Sequence, residues 1–170
     1  MAEYIDVYDK HRNKTGEQID RKSQKLNEDQ YQLYVTALLQ NTEGKFLITQ
    51  RALDKKWAAG WWEVSGGGAL AGETSLQAVI REVKEEVGLD ISTVSGNVLY
   101  SYQNTAPESG DNYFNDIYLF VFDFSLSQVT LRQEEAIDCK MATWEEIEAI
   151  NQSGEFLHFS RIETALKNTL

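Results

Sequence analysis

The chain has 170 residues, of which 42% are hydrophobic and 25% charged; 27 acidic against 16 basic side chains give a net charge of −11. That length suits one domain with a sizeable core, and the acidic balance argues against broad binding of a nucleic-acid polymer, which needs many Lys and Arg contacts to phosphates. No apolar run approaches a bilayer span, no cationic start leads into an apolar leader, and the lone Cys139 excludes an internal disulfide, so a cytoplasmic protein with no membrane partner is expected.

In chain order, Tyr4 to Gly16 alternates apolar and polar residues before a polar turn, which predicts a hairpin with His11 near its tip as a surface residue. Gly16 to Gln30 is polar and reads as a loop or a short linking helix. Tyr31–Gln40 and Phe46–Gln50 read as central strands joined by the turn-rich Asn41–Gly44. A loop then runs from Arg51 through Trp57, Trp61 and Trp62 to the glycine run Gly66, Gly67 and Gly68, where the missing side chains permit close approach to a ligand. Arg51, Lys55 and Lys56 form the densest positive cluster there. Arg51 is the favoured substrate phosphate contact, with the Gly67 and Gly68 backbone as a candidate cradle. At least two of the three tryptophans are expected to pack rather than stack on a base.

Thr74 and Gln77 form a capping box and Gly88 a C-terminal stop, so a helix is predicted between them. Leu76, Val79, Ile80, Val83 and Val87 fall on one stripe directed to the core. Glu82, Glu85 and Glu86 lie at i, i+3 and i+4, and their mean direction is roughly 125° from that stripe. They are expected to point away from the core. Three like charges on adjacent turns repel mildly, and an all-oxygen set suits a hard divalent cation bridging to substrate phosphates.

Beyond the helix, Val98–Gln103 and Ile117–Phe124 read as strands separated by a polar loop containing Pro107, placed to border a ligand site. Gln133–Met141 leads into a strand carrying Cys139, read as a buried structural thiol. Thr143 and Glu146 form a second capping box. The tail from Gly154 suggests an amphipathic helix burying Phe156, Phe159, Ile162 and Leu166, with His158 in a structural role. Pattern alone supports an α/β or α+β class.

Gly67, Glu73, Arg81, Glu82, Val83, Glu85, Glu86, Gly88 and Leu89 fill every fixed position of G-x5-E-x7-R-E-U-x-E-E-x-G-U, where U is aliphatic. This resembles the Nudix box, and Val7-Tyr8-Asp9 with Lys14-Thr15-Gly16 is similar to the subgroup related to isopentenyl-diphosphate isomerase. The resemblance, covering about residues 31–150, implies an α/β/α sandwich with a mixed β-sheet; length and pattern make the whole chain a single domain over 1–170, with an N-terminal hairpin and linking segment over 1–30, a core over 31–150 and a C-terminal helix over 151–170. It also implies a hydrolase that cleaves the diphosphate linkage of a nucleoside diphosphate derivative or a similar small anionic metabolite, with Mg²⁺ or Mn²⁺ as cofactor; the oligomeric state is left open by the sequence, a homodimer being one assembly open to it. By motif position Glu82, Glu85 and Glu86 would bind the metal, and Arg81 would orient the site by forking onto Glu73. The catalytic base would be Glu86, Glu134 or Glu135. The alternatives are a catalytically silent ligand-binding domain or an isomerase, but the isomerase's cysteine before the acidic helix and its histidine-rich metal site have no counterpart in this sequence. A proline common before the paired glycines is replaced by Ser65.

Overall fold

The computed structural model describes residues 1–169. The N-terminal hairpin is present as β1 (Tyr4–Tyr8) and β2 (Lys14–Asp20), paired antiparallel. The second strand takes up part of the stretch expected to be a loop or linking helix. The two strands bury Ile5, Val7 and Ile19 together with Leu26, and that satellite cluster outweighs the polar composition of the rest of β2.

The main sheet is mixed and seven-stranded. Its path begins with β3 (Gln32–Gln40) and β4 (Phe46–Arg51), joined by the expected turn. Next come β5 (Trp62–Glu63) and β6 (Ser65–Gly68), so the glycine run is a strand rather than a loop. It pairs antiparallel with β3, Tyr34 opposite Gly68 and Ala37 opposite Ser65. β7 (Gly96–Asn104), β8 (Tyr113–Val121) and β9 (Ala136–Ala142) complete the sheet, in the order β5-β4-β3-β8-β7 with β6 on β3 and β9 on β4. β3 and β8 run parallel and in register from Gln32 and Tyr113 to Gln40 and Val121.

Helices cover both faces. Leu33, Val35, Ala37 and Leu39 alternate along β3 toward α1 (Ser75–Val87), which buries Ala78, Val79, Val83 and Val87 against them. Each fully buried valine stabilises by about 1.5–3 kcal/mol. Leu76, assigned above to the buried stripe, is 46% exposed, whereas Ala78, outside that stripe, is fully buried, so the covered face of α1 is shifted from the one the spacing predicts. On the other face Leu38, Ile48 and Ile117 pack with α2 (Trp144–Gln152), through Ile147, and α3 (Phe159–Lys167), through Ile162 and Ala165. The Thr143 and Glu146 capping box is formed. Cys139 on β9 is half-buried, not fully buried. Among the described residues no helix is long and apolar enough to cross a membrane.

Candidate active site

β6 delivers the chain from the sheet to α1 through Ala69–Thr74, with the Ala69 N–H donating to the Leu33 carbonyl (2.8 Å). Thr74 Oγ1 accepts from the Gln77 N–H and Gln77 Oε1 from the Thr74 N–H, so the start of α1 is fixed by both halves of its capping box. Gly88 closes the helix at φ 73°, a left-handed conformation that glycine adopts without Cβ strain.

The acidic residues of α1 lie against β6. Gly67 has ordinary backbone dihedrals; its missing Cβ matters because a methyl there would come within 2.6 Å of Glu82 Oε2. The Glu82 side chain is only 12% exposed, whereas that of Glu85 is 47% exposed. All three carboxylates lie off the apolar core, as expected, but only Glu85 reaches solvent freely: Glu82 and Glu86 are covered by the glycine strand.

Arg81 organises the set. Its Nε and Nη2 donate to the two oxygens of Glu73 (2.6 and 3.0 Å), Nη2 also to the Gly68 carbonyl (3.0 Å), and Nη1 to Glu82 Oε1 (2.9 Å) and Glu85 Oε2 (3.2 Å). One planar fork thereby joins β6, the helix entry and two box carboxylates. Burial opposes ionisation of Glu73, but the Arg81 bonds and the Leu70 N–H outweigh it and hold its carboxyl low. Glu82 goes the other way, burial pushing its pKa up against the pull of Arg81.

Glu86 is the outlier. Burial pushes its pKa well above the carboxylate range, and Glu82, Glu63 and Glu135 add like charge, while one N–H, from Gly66 at 3.2 Å, favours its ionised form. Such a carboxylate is stabilised by gaining either a proton or a cation. The donors facing this place are carboxylate oxygens, the chemistry that suits Mg²⁺ or Mn²⁺, so the residues present fit a divalent ion. Among the described residues no three His, Cys, Asp or Glu side chains already converge around an ion position; Glu82 and Glu85 each turn an oxygen to Arg81 instead.

Glu86 borders two adjoining concavities. One, of about 420 Å³, is lined by Thr36, Arg51, Trp57, Glu63, Asn115 and His158 among others; the second, of about 670 Å³, by Arg21, Arg81, Glu82, Glu85 and Arg132 among others. Gly66, Gly67 and Glu135 belong to both, and Gly68 to the second. Arg51 Nη1 bonds both oxygens of Glu63 (3.3 Å each), and its Nε is a buried nitrogen without a hydrogen-bond partner among the described residues. Lys55 pairs with Glu135. Glu134 instead points outward beside Arg132, its side chain 80% exposed. The structure thus brings Arg51, Gly67, Gly68 and the acidic residues of α1 together with Glu135, to which Lys55 reaches, whereas Glu134 points outward and Lys56 lines neither concavity. Sequence reasoning missed His158 and Arg21 at these walls; both arrive by tertiary contact, and neither carries a local signal.

The NUDIX domain family matches residues 30–161. An uncharacterized Nudix hydrolase of Listeria monocytogenes is 36% identical over 155 residues, covering 91% of this chain and 88% of its own. Its counterpart in Listeria innocua is 37% identical over 139 residues, covering 81% of this chain and 79% of its own. A crystal structure of a Deinococcus radiodurans protein superposes with a TM-score of 0.70 at 25% identity, covering 90% of this chain and 91% of that one.

Proposed function

The chain belongs to the NUDIX domain family and is a pyrophosphohydrolase of that family, and we propose that it cleaves the diphosphate linkage of a nucleoside diphosphate derivative, or of a similar small phosphorylated metabolite, using Mg²⁺ or Mn²⁺. The observation that carries the metal dependence is Glu86, a half-buried carboxylate on α1 facing both concavities, among three others and with a single N–H as its described partner. Glu82, Glu85 and Glu86 would hold the ion. When bound, it supplies positive charge to neutralise phosphoryl oxygens and to activate water.

The other roles belong to this chain's own groups. Arg81 positions the ligand carboxylates through its fork. Arg51 and the backbone of Gly67 and Gly68 meet substrate phosphate, a reading supported by their place on the walls of the concavities that Glu86 borders. The base is Glu86 or Glu135; the outward position of Glu134 argues against it. Isomerase chemistry draws no support, since Cys139, on β9 opposite Thr49, lines neither concavity. We read the chain as one cytoplasmic domain, with the homodimer one form it adopts.

Purified protein with Mg²⁺ should convert diphosphate substrates to monoesters, seen as loss of the diphosphate ³¹P resonances across a panel of nucleoside diphosphate derivatives and isoprenoid diphosphates, and EDTA should stop it. Turnover that survives EDTA would remove the metal; no turnover with any substrate, alongside ligand-dependent thermal stabilisation, would leave a binding domain. Gly67→Ala is expected to displace the Glu82 carboxylate and weaken Mn²⁺ binding roughly 10–100-fold, the usual effect of disturbing the groups that orient a ligand. An unchanged affinity, measured by electron paramagnetic resonance, would take Glu82 out of the ligand set.

A further inference from the structure

We propose that Trp57, together with the ring of His158, forms the face on which this enzyme holds the nucleobase of its substrate. The inference rests on the diphosphate hydrolase reading and names the group carried beyond the diphosphate.

Trp57 is 61% exposed, whereas Trp61, Trp62 and Trp144 are all at least half-buried. Its indole lies at the cavity that Glu86 also borders. The Arg51 guanidinium sits over that indole at 5.5 Å, and Arg51 Nη2 donates to the Trp57 carbonyl (3.2 Å), so the residue is held from its ring and from its backbone. The His158 ring stands 6.3 Å from the indole, tilted by 47°. Three non-glycine residues have left-handed backbone among the described residues: Ala58, directly after Trp57, His158 itself, and Arg12 elsewhere. Two of these strained positions thus fall at this pair of rings, and such strain persists where surrounding structure enforces it, often at ligand sites.

The floor of the same cavity decides what kind of group fits. Thr49, Ser65 and Asn115 are buried polar side chains there, with Thr36 beside them. Thr36 and Asn115 already bond one another, and Asn115 bonds the Tyr102 hydroxyl, but the Thr49 and Ser65 hydroxyls have no partner among the described residues, and an isoprenoid chain laid over them would strip their hydration and return no hydrogen bonds, which is unfavourable. A nucleoside offers ribose hydroxyls and base edges to the floor and a flat π-face to the indole. Aromatic stacking of this kind tolerates any base.

Calorimetric titrations in EDTA, where nothing turns over, test the proposal. The probes are AMP, CMP, GMP and UMP, with ribose 5-phosphate and isopentenyl diphosphate as base-free controls. Mononucleotides should bind the wild type at least about 10-fold more tightly than ribose 5-phosphate. Trp57→Ala should abolish that gap without weakening ribose 5-phosphate, Trp57→Phe should keep most of it, and His158→Asn, which tolerates the left-handed backbone, should narrow it. The Trp57→Ala melting temperature should match wild type, because the side chain is mostly in solvent. Equal binding of base-bearing and base-free probes, or a gap that survives Trp57→Ala, overturns the proposal. Parallel phosphate-release assays with Mg²⁺ separate the two readings: hydrolysis indifferent to the base removes the base face and leaves the hydrolase, whereas Trp57-dependent nucleotide binding without hydrolysis does the reverse.

Discussion

Glu86→Gln is expected to lower diphosphate hydrolysis about 10³-fold and, in EDTA at neutral pH, to raise the melting temperature. The first effect follows from the cation the carboxylate would hold. Metal stabilisation of phosphoryl charge contributes several kcal/mol to the transition state, and each tenfold in rate corresponds to about 1.4 kcal/mol. The second follows from burial. Glu86 is pushed up by desolvation and then by the charges of Glu82, Glu63 and Glu135, so its ionised form destabilises the metal-free fold. A group whose folded pKa is raised contributes stability below its unfolded pKa and loses it as the pH rises through the folded value. At neutral pH the wild type therefore carries a penalty that the neutral amide lacks, while the amide can still accept from the Gly66 N–H. Mg²⁺ should reverse the order by stabilising the wild type more than the variant. Glu85→Gln should also reduce turnover, without the melting gain, because that side chain is half in solvent. Retained turnover in Glu86→Gln would remove Glu86 from the site, and a lowered melting temperature in EDTA would contradict the electrostatic reading.

Asp116→Ala is expected to be the most destabilising single change outside the apolar core. Asp116 on β8 has a side chain only 4% exposed, and Arg12, at the tip of the N-terminal hairpin with φ 66°, bonds both of its oxygens at 2.6 Å. Ser101 on β7 donates to Asp116 Oδ1 (2.6 Å), Ser75 at the first turn of α1 donates to Oδ2, and the Tyr118 hydroxyl donates to Ser75 (2.8 Å). One carboxylate thus fastens the hairpin, two strands and the start of the acidic helix. Removing one partner of a buried pair commonly costs 3–5 kcal/mol; about 3 kcal/mol is expected here, since Arg12 keeps 35% of its side chain in solvent. For a chain of this size that corresponds to a melting temperature lower by roughly 6–12 °C. Burial works against the charge of Asp116, but the bonds from Arg12, Ser101 and Ser75 outweigh it and set its pKa below the usual value. The stabilisation is therefore present above the unfolded carboxyl pKa and lost as the pH falls through the folded one. The gap between wild type and Asp116→Ala should narrow in acid. A gap that widens there, or melting curves that coincide at neutral pH, would contradict the role given to the pair.

The acidic helix was legible in the sequence because its determinants are local. Thr74, Gln77 and Gly88 mark its ends within the segment they close, and the 3.6-residue period of Val79, Val83 and Val87 marks its inner face. What the helix packs against was not legible. Periodicity alone could not show that Glu82 and Glu86 would be covered by β6, because the glycine run resembles a loop until Tyr34 to Ala37 pair with it. Leu76 was misplaced for a related reason: a stripe derived from spacing does not reveal which edge of the helix the sheet leaves open. The Asp116 network joins residues up to 104 positions apart, and no local pattern distinguishes Arg12 from a surface arginine of the turn. His158 and Trp57 likewise become neighbours only once α3 and the β4–β5 loop meet.

The measurement that tests the central claim most directly is Mn²⁺ binding to the purified protein, followed by electron paramagnetic resonance in the wild type and in a variant with Glu82, Glu85 and Glu86 all replaced by Gln. The acidic face of α1 predicts saturable binding by the wild type, competed by Mg²⁺, and loss of that binding in the variant with its fold retained. Equal Mn²⁺ affinity in the two proteins would contradict the metal site and the hydrolytic mechanism built on it.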